Sequence, residues 1–321
     1  VPLIPSRPTS SPGSESADLS PGGRGGPLSR FYERYLYPPG VPRVAFDAPA
    51  GEPALVAADS VSWRVFRNPV TLFAGGVLAV ILELALPEVR HGVWDHSTFR
   101  TDPKLRLQRT GLAAMVTIYG AASVARGMID GVNRRHAQIS GETDQGRLYR
   151  ADDAALLSWV HATAVFGFGR AYDDLVCPLG AGGWNRLFAE GQAIAEAYGA
   201  AGAPASREAW EALEAGTLPR LEPSDALQAF LRIMSGEPVL PLPARPLQAP
   251  LVRVAAGLVP EAVARRIALG EDWRPSRRDR LLAKAAARAA ERLPIEASPP
   301  VQACRRLGLD PRRVFAGPLA S

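Results

Sequence analysis

The chain has 321 residues, 47% of them hydrophobic, enough to bury a sizeable core in one large domain or two modest ones. The formal charge is +5, yet from Arg245 to Ser321 there are 15 Arg and Lys against 7 Asp and Glu, so the positive excess sits in the last quarter. No recognisable nucleic-acid motif accompanies that charge, which therefore reads as a solvated basic face and excludes nucleic acid as the expected partner.

Residues 1–28 are rich in Pro, Ser and Gly and lack periodic apolar positions, which predicts a disordered segment. They contain no basic stretch followed by an apolar one, so no signal peptide is read and a cytoplasmic location is expected. From there the pattern is helical, punctuated by Pro and Gly. Asp59 is expected to open a short helix over 59–67. "VTLFAGGVLAVILELAL" (70–86) is apolar throughout except for Glu83. Its length is at the lower limit for a membrane span, and a helix buried on all sides reads the same way. The buried helix is the reading adopted, with membrane association not favoured.

"TDPKLRLQRTGLAAMVTIYG" predicts a helix capped by Asp102, with Pro103 in its first position and an end near Tyr119. A further helix is expected over 121–139, and another opened by Asp152 or Asp153. "LGAGGWN" (179–185) reads as a turn between helices. Later helices fit 183–199, 206–215, 223–235, 260–269 and 276–292, and the Pro-rich 237–250 reads as an extended connector. Alternating strand patterns bounded by turns are missing. The expected class is all-α: one large helical domain over 29–275, with a basic C-terminal helix and tail (276–321) packed on it. Cys177 and Cys304 stand far apart without a CxxC and read as free thiols.

Only four histidines occur, His91, His96, His136 and His161. His136 shares a helical stripe with Ile129, Val132 and Ile139, and His161 shares one with Leu157, Ala164 and Phe168, so both face inward. Such a histidine serves either as a hydrogen-bonded core residue or as a ligand. Arg106, Arg109 and Thr110, at i, i+3 and i+4, project beside an apolar strip. Two guanidiniums there need anions or a cavity: salt bridges to Asp95, Asp102 or Glu83, or a site for a propionate, a phosphate or an oxygen intermediate. Glu88-x-x-His91 has no second copy, which excludes a di-iron carboxylate centre. Phosphate-loop and GxSxG signatures are absent.

The order "NPVTLFAGGVLAVILELALPEVRHGVWDHSTFRTDPKLRLQRT", "RRHAQISG" and "YRADDAALLSWVHAT" resembles the DUF2236 family, that of the fungal oxygenase MpaB and the catalytic domain of latex-clearing rubber oxygenases. The resemblance runs from about Trp63 to about Trp273. It implies an all-helical fold with a globin-like core around haem b. It implies a haem-dependent oxygenase acting on an apolar substrate, unsaturated or isoprenoid-like, with His136 as the iron's axial ligand and O2 bound opposite. Arg106 and Thr110 match the arginine and threonine of the helix near the haem. Arg109 falls where the rubber enzymes carry a lysine, and a guanidinium cannot replace a neutral amine as sixth ligand. His161 is the alternative ligand, or the second of a pair. That pairing would make the protein a non-enzymatic bis-histidine haem sensor or electron carrier. Leu86 stands where the family often has a histidine, and Glu83 where it usually has a neutral residue.

Overall fold

A computed structural model describes residues 26–292 and 295–316. Polar caps and prolines start most of its helices. After α1 (Pro27–Leu36), α2 (Val61–Val65) opens on Ser60, whose Oγ accepts from the Trp63 amide; the cap thus lies one residue after the expected Asp59. Asn68 caps α3 (Pro69–Ala85) by accepting from the Val70 and Thr71 amides. Pro87 opens α4 (Pro87–Trp94), and Asp102 caps α5 (Pro103–Tyr119) through the Leu105 amide, as expected. In each case an oxygen satisfies a first-turn amide, or a proline removes one that had no partner.

α6 (Ala122–His136) stops three residues earlier than expected. The chain then forms a hairpin that the sequence pattern did not reveal, β1 (Ser140–Glu142) antiparallel to β2 (Leu148–Arg150), with Gly141 opposite Tyr149. Gly141 is therefore a strand residue. A Cβ there would lie 2.6 Å from the Tyr149 hydroxyl, so a larger residue would displace that side chain.

α7 (Ala154–Leu175) is capped by Asp153. α8 (Gly180–Glu190) and α9 (Gln192–Tyr198) replace the single helix expected over 183–199, broken at Gly191, and "LGAGGWN" lies largely inside α8 instead of forming a turn. α10 (Arg207–Thr217) and α11 (Asp225–Gly236) follow. The expected connector over 237–250 is corrected by α12 (Arg245–Ala256). Pro246 occupies its first turn, where no amide is needed, and Pro250 lies inside it, so the prolines hid a helix whose face carries buried Leu251, Val252 and Val254. α13 (Glu261–Arg266), α14 (Arg277–Glu291), α15 (Pro299–Arg306) and α16 (Pro311–Ala316) complete the described chain. The segment expected to be disordered, 1–28, lies outside the described residues except for 26–28, where α1 already begins at Pro27.

The architecture is all-α with one small hairpin. α3 is the central element, packed chiefly against α7 and further against α12, α14 and α11. That environment explains why its apolar residues cover every side. The basic helix α14 is fixed by Ser276 and Asp279, which form a capping box, and by the Asp279–Arg253 ion pair to α12 (2.8 Å). Asn68 at the start of α3 donates to the Ala287 carbonyl and to Glu291 of α14. No single helix among the described residues is long and apolar enough to cross a membrane; α3 and α4 pass such a test only together, bent by 114°. Cys177 is exposed and Cys304 buried, and both are free.

Candidate functional site

The core is not filled solid. Between α3, α5, α7 and the α8–α9 break lies an apolar cavity of about 190 Å³. His136 reaches it from the last turn of α6 and His161 from the middle of α7. The two histidines are 25 positions apart in sequence and arrive from different helices, so only the tertiary fold brings them to one cavity. Among the described residues, His136 Nδ1 and His161 Nε2 are buried there without a hydrogen-bond partner. Gly191, at the helix break, makes room for the second ring: a Cβ there would lie 3.0 Å from His161 Nε2.

Burial holds both rings neutral. It lowers the pKa of His136 to about 4, with the charge of Arg106 adding to the effect, and it lowers that of His161 to about 4 as well. A neutral imidazole keeps a lone pair, and a buried nitrogen without a partner is costly to leave so. The remaining polar groups on the wall are few. Thr117 Oγ1 donates to the Ala113 carbonyl and lies 3.2 Å from the Tyr198 hydroxyl.

A smaller cavity of about 50 Å³ adjoins on the α4 side and is lined by Arg106, Glu83 and Thr110. Arg106 is only 6% exposed, and burial lowers its guanidinium pKa to about 10, which leaves it charged at neutral pH. Glu83 is completely buried, and among the described residues neither carboxyl oxygen has a hydrogen-bond partner. Burial raises its pKa, against the pull of the Arg106 charge. Glu83 is thus the acid coupled to Arg106, with burial opposing its ionised form and the guanidinium favouring it. The other two acids considered for that role are engaged elsewhere: Asp102 caps α5, and Asp95 pairs with His91 Nδ1 at 2.8 Å. Glu83 lines the histidine cavity too, so it stands between the arginine and the two imidazoles.

The three residues of the α5 stripe do not share one destination. Thr110 lines both cavities, and Arg106 lines the smaller one. Arg109 is half-buried and lines neither, although it sits one residue before Thr110. Glu88 and His91 are held away from the cavities in an ion-pair cluster: Glu88 pairs with Arg220 at 3.0 Å and Arg147 at 3.5 Å, and His91 pairs with Asp95 and Asp144. His96 meets the Tyr149 hydroxyl at 3.1 Å. Among the described residues, no three or more His, Cys, Asp or Glu side chains gather as a metal cluster.

Sequence reasoning offered Glu83 as one of three partners for the arginines without placing it on the cavities, and it missed the Thr117–Tyr198 pair. Glu83 carried a signal, the only charge in an apolar run. Thr117 and Tyr198 carried none, because their proximity spans 81 positions.

A family profile described as "ER-bound oxygenase mpaB/B'/Rubber oxygenase, catalytic domain" matches residues 63–292, a stretch that contains every cavity residue named above. No curated protein and no solved structure matches the chain.

Proposed function

The chain belongs to the mpaB/rubber oxygenase catalytic-domain family, and from that membership we propose that it is a haem b-dependent oxygenase acting on an apolar substrate. One observation carries the haem part: two neutral, inward-facing imidazoles, each with a buried nitrogen that has no partner among the described residues, line a single apolar cavity. These residues fit the group. A flat, largely apolar macrocycle matches walls made of Val80, Ala114, Val160, Ala164 and Phe168, and an axial imidazole must be neutral at the coordinating nitrogen.

When bound, haem supplies the redox chemistry of dioxygen activation. The residues of the chain do the rest. His136 would hold the iron through a ring nitrogen, with His161 as the alternative. Thr110 presents a hydroxyl at the point where the cavities meet and can orient a small polar molecule there. Arg106 holds a permanent positive charge at the edge, suited to a propionate or to developing negative charge. Glu83 is a carboxyl whose burial favours the protonated form, so it can hold a proton within the site. The apolar walls exclude water and select an apolar substrate. Arg109, outside the cavities, takes no part in this reading.

The placement of both histidines on one cavity also favours a second reading, a non-enzymatic protein in which both bind the same iron as in a sensor or electron carrier. The absorbance spectrum separates the two. Purified or haem-reconstituted protein is expected to show a Soret band, and a shift on adding imidazole marks an open axial position. No shift favours the bis-histidine protein, and failure to take up haem at all overturns both readings.

A further inference from the structure

The hairpin joins the two helices that carry the cavity histidines, α6 and α7, and it packs against α4. His136 is tied to it by two successive backbone hydrogen bonds. The His136 carbonyl accepts from the Ile139 amide (3.0 Å), and the Ile139 carbonyl accepts from the Ala151 amide just beyond β2 (2.9 Å). Whatever holds the hairpin therefore also holds the end of α6.

α4 grips the hairpin by charge. Arg147, just before β2, pairs with Glu88 at 3.5 Å, and Arg220 shares that carboxylate at 3.0 Å. Arg90 pairs with Glu222 at 2.7 Å and lies 4.0 Å from Asp144 in the hairpin turn, while Gln145 donates to the other oxygen of Glu222. His91 completes the set. Its Nδ1 faces Asp95, at the end of its own helix, at 2.8 Å, and its Nε2 forms an ion pair with Asp144. The Tyr149 ring stacks on it with centroids 6.4 Å apart, and the Tyr149 hydroxyl meets His96. The His91 side chain is only 17% exposed, so little water competes for its nitrogens.

A neutral imidazole has one N–H and cannot donate to two carboxylates, so a ring with a carboxylate at each nitrogen suits the doubly protonated form. The guanidiniums of this set keep their charge, whereas histidine is the side chain that gives up its charge near neutrality. Loss of the His91 proton leaves Arg90, at 4.0 Å, as the cation facing Asp144 among the described residues.

We propose that His91 is a pH-responsive positioning residue: with its second ring proton it clamps the hairpin to α4 and holds His136 at the cavity, and without that proton the clamp slackens. That His136 is held there for iron rests on the haem reading; the clamp itself does not.

The test compares the full chain without cofactor at pH 6 and pH 8 by two readouts. Hydrogen exchange follows the hairpin through the Thr143 amide, which donates to the Arg147 carbonyl, and through the Ala151 amide. Carbethoxylation by diethyl pyrocarbonate, located by mass spectrometry, follows His136. Burial keeps that ring neutral at both pH values, so its rate measures access and not protonation. Asp144 is well exposed, which makes its ion pair a modest one, so protection of both amides should be about three-fold lower at pH 8 and His136 should react about three-fold faster. His91→Gln should give the weaker protection at both pH values. Arg147→Gln, which removes a permanent tie, should lower protection yet keep the difference between pH 6 and pH 8. Thermal melts verify that each variant is folded. Equal wild-type protection at the two pH values, once intrinsic exchange is divided out, overturns the proposal. A difference that survives in His91→Gln does so too, and would transfer the response to His96. A hairpin that responds while His136 does not would show that it does not position that residue. A chain that takes up no haem would sink the haem reading, and these readouts, made without cofactor, would still decide this one.

Discussion

A neutral imidazole is a ligand and a charged one is not, and burial, helped at His136 by the Arg106 charge, keeps both rings neutral well below the ordinary histidine range. Their settings differ. His136 ends α6, with the hairpin beginning four residues later, whereas His161 is held in the middle of α7 against the Gly191 break. With His136 as the axial residue, His136→Ala should abolish haem retention and His161→Ala should largely spare it, as read from the Soret absorbance after gel filtration. The reverse pattern would transfer the axial role to His161. The same scale explains why Arg106 and Arg109 part company. Both lie on one stripe, but Arg106 is buried beside Glu83 and Arg109 remains half-buried outside the cavities. The i, i+3 spacing fixed their common side of the helix, and the position of α4 and α11 decided which of them was enclosed.

At the scale of elements, the α3–α7 contact sets the cavity. Two glycines let the backbones approach: a Cβ on Gly75 would lie 2.7 Å from Phe168 Cα, and one on Gly167 would lie 2.6 Å from the Gly75 carbonyl. Neither neighbour is a flexible side-chain end, so the helices would have to part. Gly167→Ala should destabilise the protein by about 1–3 kcal/mol through overpacking, measured by urea unfolding, despite alanine's higher helix propensity. A neutral or stabilising result would mean that this contact is looser than the backbone positions indicate. Helix starts were legible in the residues at this scale, since Asp102 and Asp153 cap as their types suggest. α12 and the hairpin were not legible. Prolines disguised the one, and the short strands β1 and β2, which pair only with each other, showed no period of two long enough to read.

Across the whole molecule, the buried histidines link folding to pH. Above about 6.5 both rings are neutral in the folded and unfolded chain alike, so they add nothing. Below that value the unfolded chain takes up protons that the folded chain refuses until about pH 4. Stability should therefore fall as pH drops through this window, by roughly 2 kcal/mol per histidine once partial solvent screening is allowed for. Glu83 works in the opposite direction, because its raised pKa makes the folded state the more proton-avid one. The melting temperature of the cofactor-free protein, followed from pH 7 to pH 4, tests this, and His161→Gln should flatten the decline. An unchanged slope in that variant would show that His161 is not held neutral by the fold.

The sequence by itself determined the helical class, most of the caps, the inward faces of His136 and His161, and a family resemblance that the 63–292 match bears out. These depend on spacing within one helix or on the order of motifs, and both are written along the chain. The tertiary structure decided that the two histidines share a cavity, that Glu83 faces Arg106, that Arg109 is left out, and that a second cavity adjoins the first. Those facts depend on how separate helices pack, and helical periodicity gives the side a residue faces without giving what lies opposite it.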